Sequence, residues 1–153
     1  MRNSLIAVLA PVVLGTASVH LLQQRRTRAE RTAARRDEDT RQQLTIAVND
    51  LINALGGHRM AVWQCESLRL LYGGPGPAWR DARARSNTTS AAITAPLATV
   101  TALDPALAAA AAEAAVAVYA IAGAADSEVL DTVREAATGA WMRFIAAADD
   151  YID

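Results

Sequence analysis

The sequence predicts an all-α protein, with an N-terminal transmembrane helix continuing into a long helix and a three- to four-helix antiparallel bundle after it. Composition points this way first: hydrophobic residues make up 52% of the chain but aromatic residues only 5%. The apolar content is therefore led by Ala, the strongest helix former, and lacks the aromatic enrichment of strands. Apolar residues also recur at three- and four-residue spacing, with no strand-like alternation. The third observation is an uncharged run near the start, followed directly by arginines.

At 153 residues the chain has room for one domain plus an anchor. The expected division is a transmembrane anchor over 1–24, a basic juxtamembrane segment over 25–40 and a cytoplasmic helical domain over 41–153. The net charge of −1 hides an asymmetry. Residues 1–36 carry seven Arg against the single Glu30, whereas residues 37–153 carry eight Arg against fifteen acids.

The anchor is read from Leu5–Leu22, which contains no charged residue and as a helix spans about 27 Å, close to a bilayer core. Its aliphatic residues favour insertion by about 3 to 6 kcal/mol, from which Pro11, Gly15, Thr16, Ser18 and His20 subtract. Arg25, Arg26, Arg28, Arg31, Arg35 and Arg36 then follow. Arginines so close to a span hold that end in the cytoplasm and attract anionic headgroups. These six are the expected membrane-surface residues, and the expected placement is a single-pass protein of the cytoplasmic (inner) membrane. The competing reading is an exported helical binding protein with a cleaved signal peptide. Arg2 would be its n-region and Gly15-Thr16-Ala17 its cleavage site, although six arginines directly after the cut oppose export.

From Thr40 to Leu71 the apolar residues 44, 48, 51, 52, 55, 62 and 65 form one helical stripe. Gly56-Gly57 interrupts it, either as a kink or as a close-packing site. Gly73-Gly74-Pro75-Gly76-Pro77 predicts a chain reversal. A second helix over 78–103 places Ile93, Leu97, Val100 and Leu103 on one face, with Pro96 expected to bend it or start a fresh turn. Asp104-Pro105 reads as an N-cap followed by Pro at the first helical position. The third helix, 105–122, is rich in Ala, so Leu107, Val116, Val118, Tyr119 and Ile121 are expected to supply its packing. After Gly123, Asp126 or Ser127 caps a fourth helix with a stripe of Val129, Val133, Ala137, Ala140, Trp141, Phe144, Ala148 and Ile152.

Chemistry-bearing residues are sparse. Cys65 is the only cysteine, which excludes an intramolecular disulfide and a cysteine-rich zinc site. His58, Arg59, Trp63 and Cys65 are the one cluster with chemical potential. Residues 58 and 65 stand two helical turns apart, however, beyond hydrogen-bond reach for a nucleophilic pair. Cys65 is accordingly expected in the core, and Trp63 either in the core or as a partner contact. Arg80, Arg83 and Arg85 read as a solvated basic face, and Asn87-Thr88-Thr89 matches a glycosylation acceptor pattern common by chance. No cofactor or metal is expected. Nor is nucleic acid, since the acidic remainder repels phosphate. The expected partners are the lipid bilayer, an unidentified protein and a second copy of the chain, and the chain is expected not to be an enzyme.

The order of parts is a short anchor, Leu21-Leu22-Gln23-Gln24-Arg25-Arg26, an Arg/Glu-rich stretch and an Ala-rich helical domain. This layout resembles the KilB-like plasmid-spread membrane proteins of actinobacteria. Every basic residue is Arg, which fits a GC-rich genome. The resemblance implies a protein that assists conjugative plasmid transfer through protein contacts. It rests on the layout of the first 70 or so residues and carries over no functional residue.

Overall fold

The computed structural model describes the backbone of residues 6–152 and the side chains of Arg28 and residues 30–150. Four helices follow one another: α1 (Ile6–Tyr72), α2 (Pro77–Leu103), α3 (Pro105–Tyr119) and α4 (Ser127–Ile152). The chain divides into two compact units, Met1–Arg41 and Gln42–Asp153. In the first, the side chains described are all exposed. The second is a four-helix bundle.

Each boundary in the bundle has a local cause. α1 stops at Gly73, whose φ of +66° suits a residue without Cβ, and Pro77 opens α2 at its first turn, where a missing N–H costs nothing. One residue, Asp104, separates α2 from α3. Its backbone is extended and its Oδ1 accepts from the amides of Ala106 (2.7 Å) and Leu107 (3.0 Å). Asp104→Ala removes both bonds from a buried corner and should cost about 0.5 to 2 kcal/mol, with Asp104→Asn losing less. A urea midpoint unchanged by the alanine substitution would show the cap to be dispensable. Asp126, not Ser127, caps α4, through a 2.8 Å bond from the Val129 amide.

Cross-helix contacts fix the topology. Along α1 and α4, Trp141 Nε1 donates to Ile52 O (3.1 Å) and Arg59 Nη1 to Thr138 Oγ1 (2.9 Å). Arg134 lies over Trp63. Rising numbers on one helix meet falling numbers on the other, so the pair is antiparallel. α1 pairs with α2 the same way, through His58 with Thr89 and Gln64 with Arg85. Tyr119 bonded to Ser90 and Glu113 paired with Arg143 complete the ring through α3. The centre is filled by Val48, Leu51, Leu55, Ile93, Val100, Val118, Ile121 and Phe144, all fully buried.

Several expectations are corrected by this structure. The transmembrane helix is the chief one: among the described residues no helix is long and apolar enough to cross a membrane. α3, at 15 residues, spans only about 22 Å. α2 carries Arg80, Asp81, Arg83 and Arg85, and α4 carries charges from Glu128 to Asp150. The stretch 5–22 and the cleavage site near Ala17 lie outside the residues whose side chains are described. With the transmembrane helix go the single-pass inner-membrane placement, the cytoplasmic assignment and the lipid bilayer as partner of the six arginines. What the described residues form is an all-helical domain without a membrane span, as the competing reading also expects.

Smaller corrections concern packing. α1 passes Gly56-Gly57 unbroken, and a Cβ on Gly56 would meet the Trp141 ring at 3.4 Å, so this is a close-packing site. α2 runs through Pro96 without starting afresh. In α3, Leu107 and Val118 pack inward as expected, as does Ile121 just after it, but Val116 and Tyr119 are exposed and Ala111, Ala114 and Ala115 complete the inward face instead. At the start of α4, Leu130 is buried and Val129 exposed.

Candidate protein-docking surface

Two polar arrangements tie α1 to its neighbours, and both serve structure. In the first, His58 is buried and its Nδ1 lies 3.0 Å from Thr89 Oγ1. The Thr89 hydroxyl also reaches the carbonyls of Arg85 and Ser86 on its own helix. Imidazole and hydroxyl thus share one hydrogen bond between α1 and α2, whose donor follows the tautomer of the ring. The ring packs tilted against Tyr119, with centroids 5.3 Å apart.

Burial pushes His58 below its usual value of 6.5, and a bond to the Ser86 carbonyl opposes this in part. The unfolded chain therefore takes up a proton at higher pH than the native one. The stability from a neutral His58 is complete above about pH 6.5 and is lost as pH falls below it. Between pH 7.5 and 5.5 the wild type should lose more urea resistance than His58→Gln. Equal losses would remove His58 as the source.

Cys65 is buried on the same helix, and burial, followed by the Glu66 carboxylate, pushes its thiol up. A raised thiol two turns from a neutral imidazole is a core residue, not a nucleophile. Among the described residues no group of acids, His and Cys is placed to hold a metal ion.

The second arrangement is a reciprocal pair of stacks between α1 and α4. Arg59 of α1 lies 5.2 Å from the Trp141 ring of α4, and Arg134 of α4 lies 5.4 Å from the Trp63 ring of α1. Arg83 similarly covers Trp79 within α2, at 5.0 Å. Each tryptophan thus carries a guanidinium on its face, an attraction of about 0.5 to 2 kcal/mol. At the end of α1, Arg69 holds Glu66 at 2.7 Å and bonds the Ala124 carbonyl, tying the helix to the α3–α4 connection.

Along the outer side of α1, Met60, the half-buried Trp63, Ser67 and Leu71 stand at three- and four-residue spacing, a single stripe on a helix. Met60 is 52% exposed and Leu71 72%. Trp63 forms the wall shared by two grooves. One, of about 700 Å³, runs between α1 and α2 along Gly57, Met60, Ala61, Gln64, Ala84 and Arg85. The other, of about 520 Å³, lies between α1 and the start of α4, with Leu70, Leu71 and Leu130 inside and Asp126 and Asp131 at the rim. Apolar groups at the surface of a closed bundle, with oppositely charged rims on their two sides, suit the docking of another protein.

The six arginines expected as a site are not brought to this surface by any described contact. Arg28, Arg31, Arg35 and Arg36 are exposed on α1, and the side chains of Arg25 and Arg26 lie outside the described residues. Sequence reasoning gave Trp63 a partner contact as one of two roles but missed Met60 and Leu71. Their spacing with Trp63 was the available signal.

The family described as KilB plasmid transfer protein matches residues 45–152, the bundle itself. Over 148 residues the chain is 44% identical to Protein KilB of Streptomyces lividans, covering 97% of this chain and 96% of that protein. No solved structure matches.

Proposed function

Since the chain belongs to the KilB family of plasmid transfer proteins, we propose that it serves plasmid transfer as a helical docking protein, whose contact surface is the outer face of α1. The family's description names a plasmid transfer protein and no enzymatic activity. The observation that carries the docking role is the pair of exposed apolar residues Met60 and Leu71, with the half-buried Trp63 between them as the wall of two grooves. Burying such a stripe against a partner gains the apolar transfer energy that the closed bundle leaves unused.

The test is the double variant Met60→Glu/Leu71→Glu in a host whose plasmid lacks its own copy of the gene. Both residues are exposed, so the bundle should keep its helicity and urea midpoint. Plasmid transfer should fall at least about tenfold, as expected for the loss of one modest hot spot. A folded double variant that supports wild-type transfer would remove this face from the function.

A further inference from the structure

We propose that the α1–α2 groove receives an amphipathic helix of a partner protein, one that lays an apolar ridge along the floor and presents a carboxylate to Arg85. This rests on the docking role proposed above and adds the chemistry of the occupant. Gly57, Ala61 and Ala84 line the groove as small residues beside the larger Met60 and Trp63. Small side chains between large ones leave the room that makes a trough. From Gly57 to Gln64 it extends about 10 Å, or two helical turns, matching anchors at i, i+3 or i+4, and i+7 of a partner helix.

The trough offers no strand edge, because the backbone of its two walls is bonded within α1 and α2. A segment entering it must satisfy its own backbone, which favours a helix.

The polar groups select the charge. Thr88 and Thr89 turn their hydroxyls to the carbonyls of Ala84, Arg85 and Ser86, and Thr89 also meets His58. Arg85 reaches only the Gln64 oxygen, at 3.4 Å, and forms no ion pair among the described residues, not even with Asp81 one turn before it. With Gln64 Oε1 turned to Arg85, its amide N–H groups point away as donors. What the groove leaves open is therefore a set of donors, the Arg85 fork and the Gln64 amide, and the matching ligand group is a carboxylate. No carboxylate lines the groove, so a basic partner would find no counter-charge there.

The experiment uses the full chain and two fluorescent synthetic peptides. Both are Ala-based helices of about four turns with leucines at i, i+4 and i+7, one flanked by glutamates and the other by lysines at the same positions. Measured by anisotropy at low salt, the glutamate peptide should bind at least tenfold more tightly. Arg85→Glu should reverse the order, and Ala61→Phe, which fills the floor, should weaken both. Circular dichroism checks that each variant is folded. Equal affinity for the two peptides, an unchanged preference in Arg85→Glu, or no binding of either peptide overturns the proposal. If the peptides fail while Met60→Glu/Leu71→Glu still abolishes plasmid transfer, the docking role stands and only the chemistry of its occupant falls. If transfer is also unaffected, both fall.

Discussion

Phe144→Ala should lower the unfolding free energy of the bundle by about 3 to 5 kcal/mol, the range for removing a buried aromatic side chain. Phe144 is the largest of the fully buried side chains, and it shares one core with Leu51 and Leu55 of α1, Ile93 and Val100 of α2, and Val118 of α3. Much of that core is alanine, including Ala111, Ala114, Ala137 and Ala148. Alanine has no rotamers with which to collapse into a void, so the cavity should persist and the cost should lie at the upper end. Against a usual total of about 5 to 15 kcal/mol, that is a large share. Phe144→Leu, which fills most of the volume, should cost about 1.5 kcal/mol or less. Urea unfolding followed by circular dichroism decides the matter, and a loss below about 1 kcal/mol for the alanine variant would mean that Phe144 does not close the core.

Trp141→Ala is the second large effect, again about 3 to 5 kcal/mol, and it has several separable parts. The indole N–H bonds the Ile52 carbonyl, the ring covers Gly56, and its face carries Arg59. Removing the ring leaves Arg59, whose Nε is already buried without a partner, over an empty space. Trp141→Phe keeps a face for Arg59 and loses the N–H, so its cost should be nearer 1 kcal/mol. The contact with Gly56 supplies a coupling test. In the wild type a Cβ at position 56 would press on the ring at 3.4 Å, offsetting the gain in helix propensity. In a Trp141→Ala background Gly56→Ala should stabilise by about 1 kcal/mol. A double-mutant cycle with no interaction between the two substitutions would refute the close-packing account of this glycine.

The parts of the fold that were legible in the sequence are those with local causes. Gly73 through Pro77 and Asp104-Pro105 mark their boundaries because Gly, Pro and an Asp cap act within a few residues. The stripe from Leu44 to Cys65 was readable because its members are large enough to stand out from their neighbours. α3 misled for the opposite reason. Its inward face is 107, 111, 114, 115 and 118, as regular as any in the chain, but three of those five residues are alanines in a run of alanines. Size drew attention to Val116, which faces outward, and to Tyr119, which lies at the edge of the bundle against His58. Val129 was misplaced for a similar reason, one residue before the buried Leu130 at the first turn of α4.

The candidate surface was less legible than the fold. The stacks of Arg59 on Trp141 and Arg134 on Trp63 join residues far apart in sequence, and they depend on the register between α1 and α4, which no local pattern specifies. Nor does spacing alone show which side of the Met60, Trp63, Leu71 stripe a bundle will leave open. The basic run from Arg25 to Arg36 drew the functional reading toward a bilayer because charge is conspicuous in a sequence. The grooves beside Trp63 are built mainly from ordinary residues such as Ala61, Ala84 and Leu130.

The pairing of α1 with α4 also has a consequence for synthesis of the chain. Of the four helices α1 leaves the ribosome first, and α4, which brings Phe144 to the core shared with Leu51 and Leu55, leaves last. At about 5 to 20 residues per second, the apolar side of α1 is open for several seconds while α2 and α3 emerge. α2 and α3 associate early, since only Asp104 separates them, but the bundle cannot close before α4 is free. A message truncated within α4 therefore yields a polypeptide with a sticky, half-covered first helix, a natural substrate for chaperones and proteases.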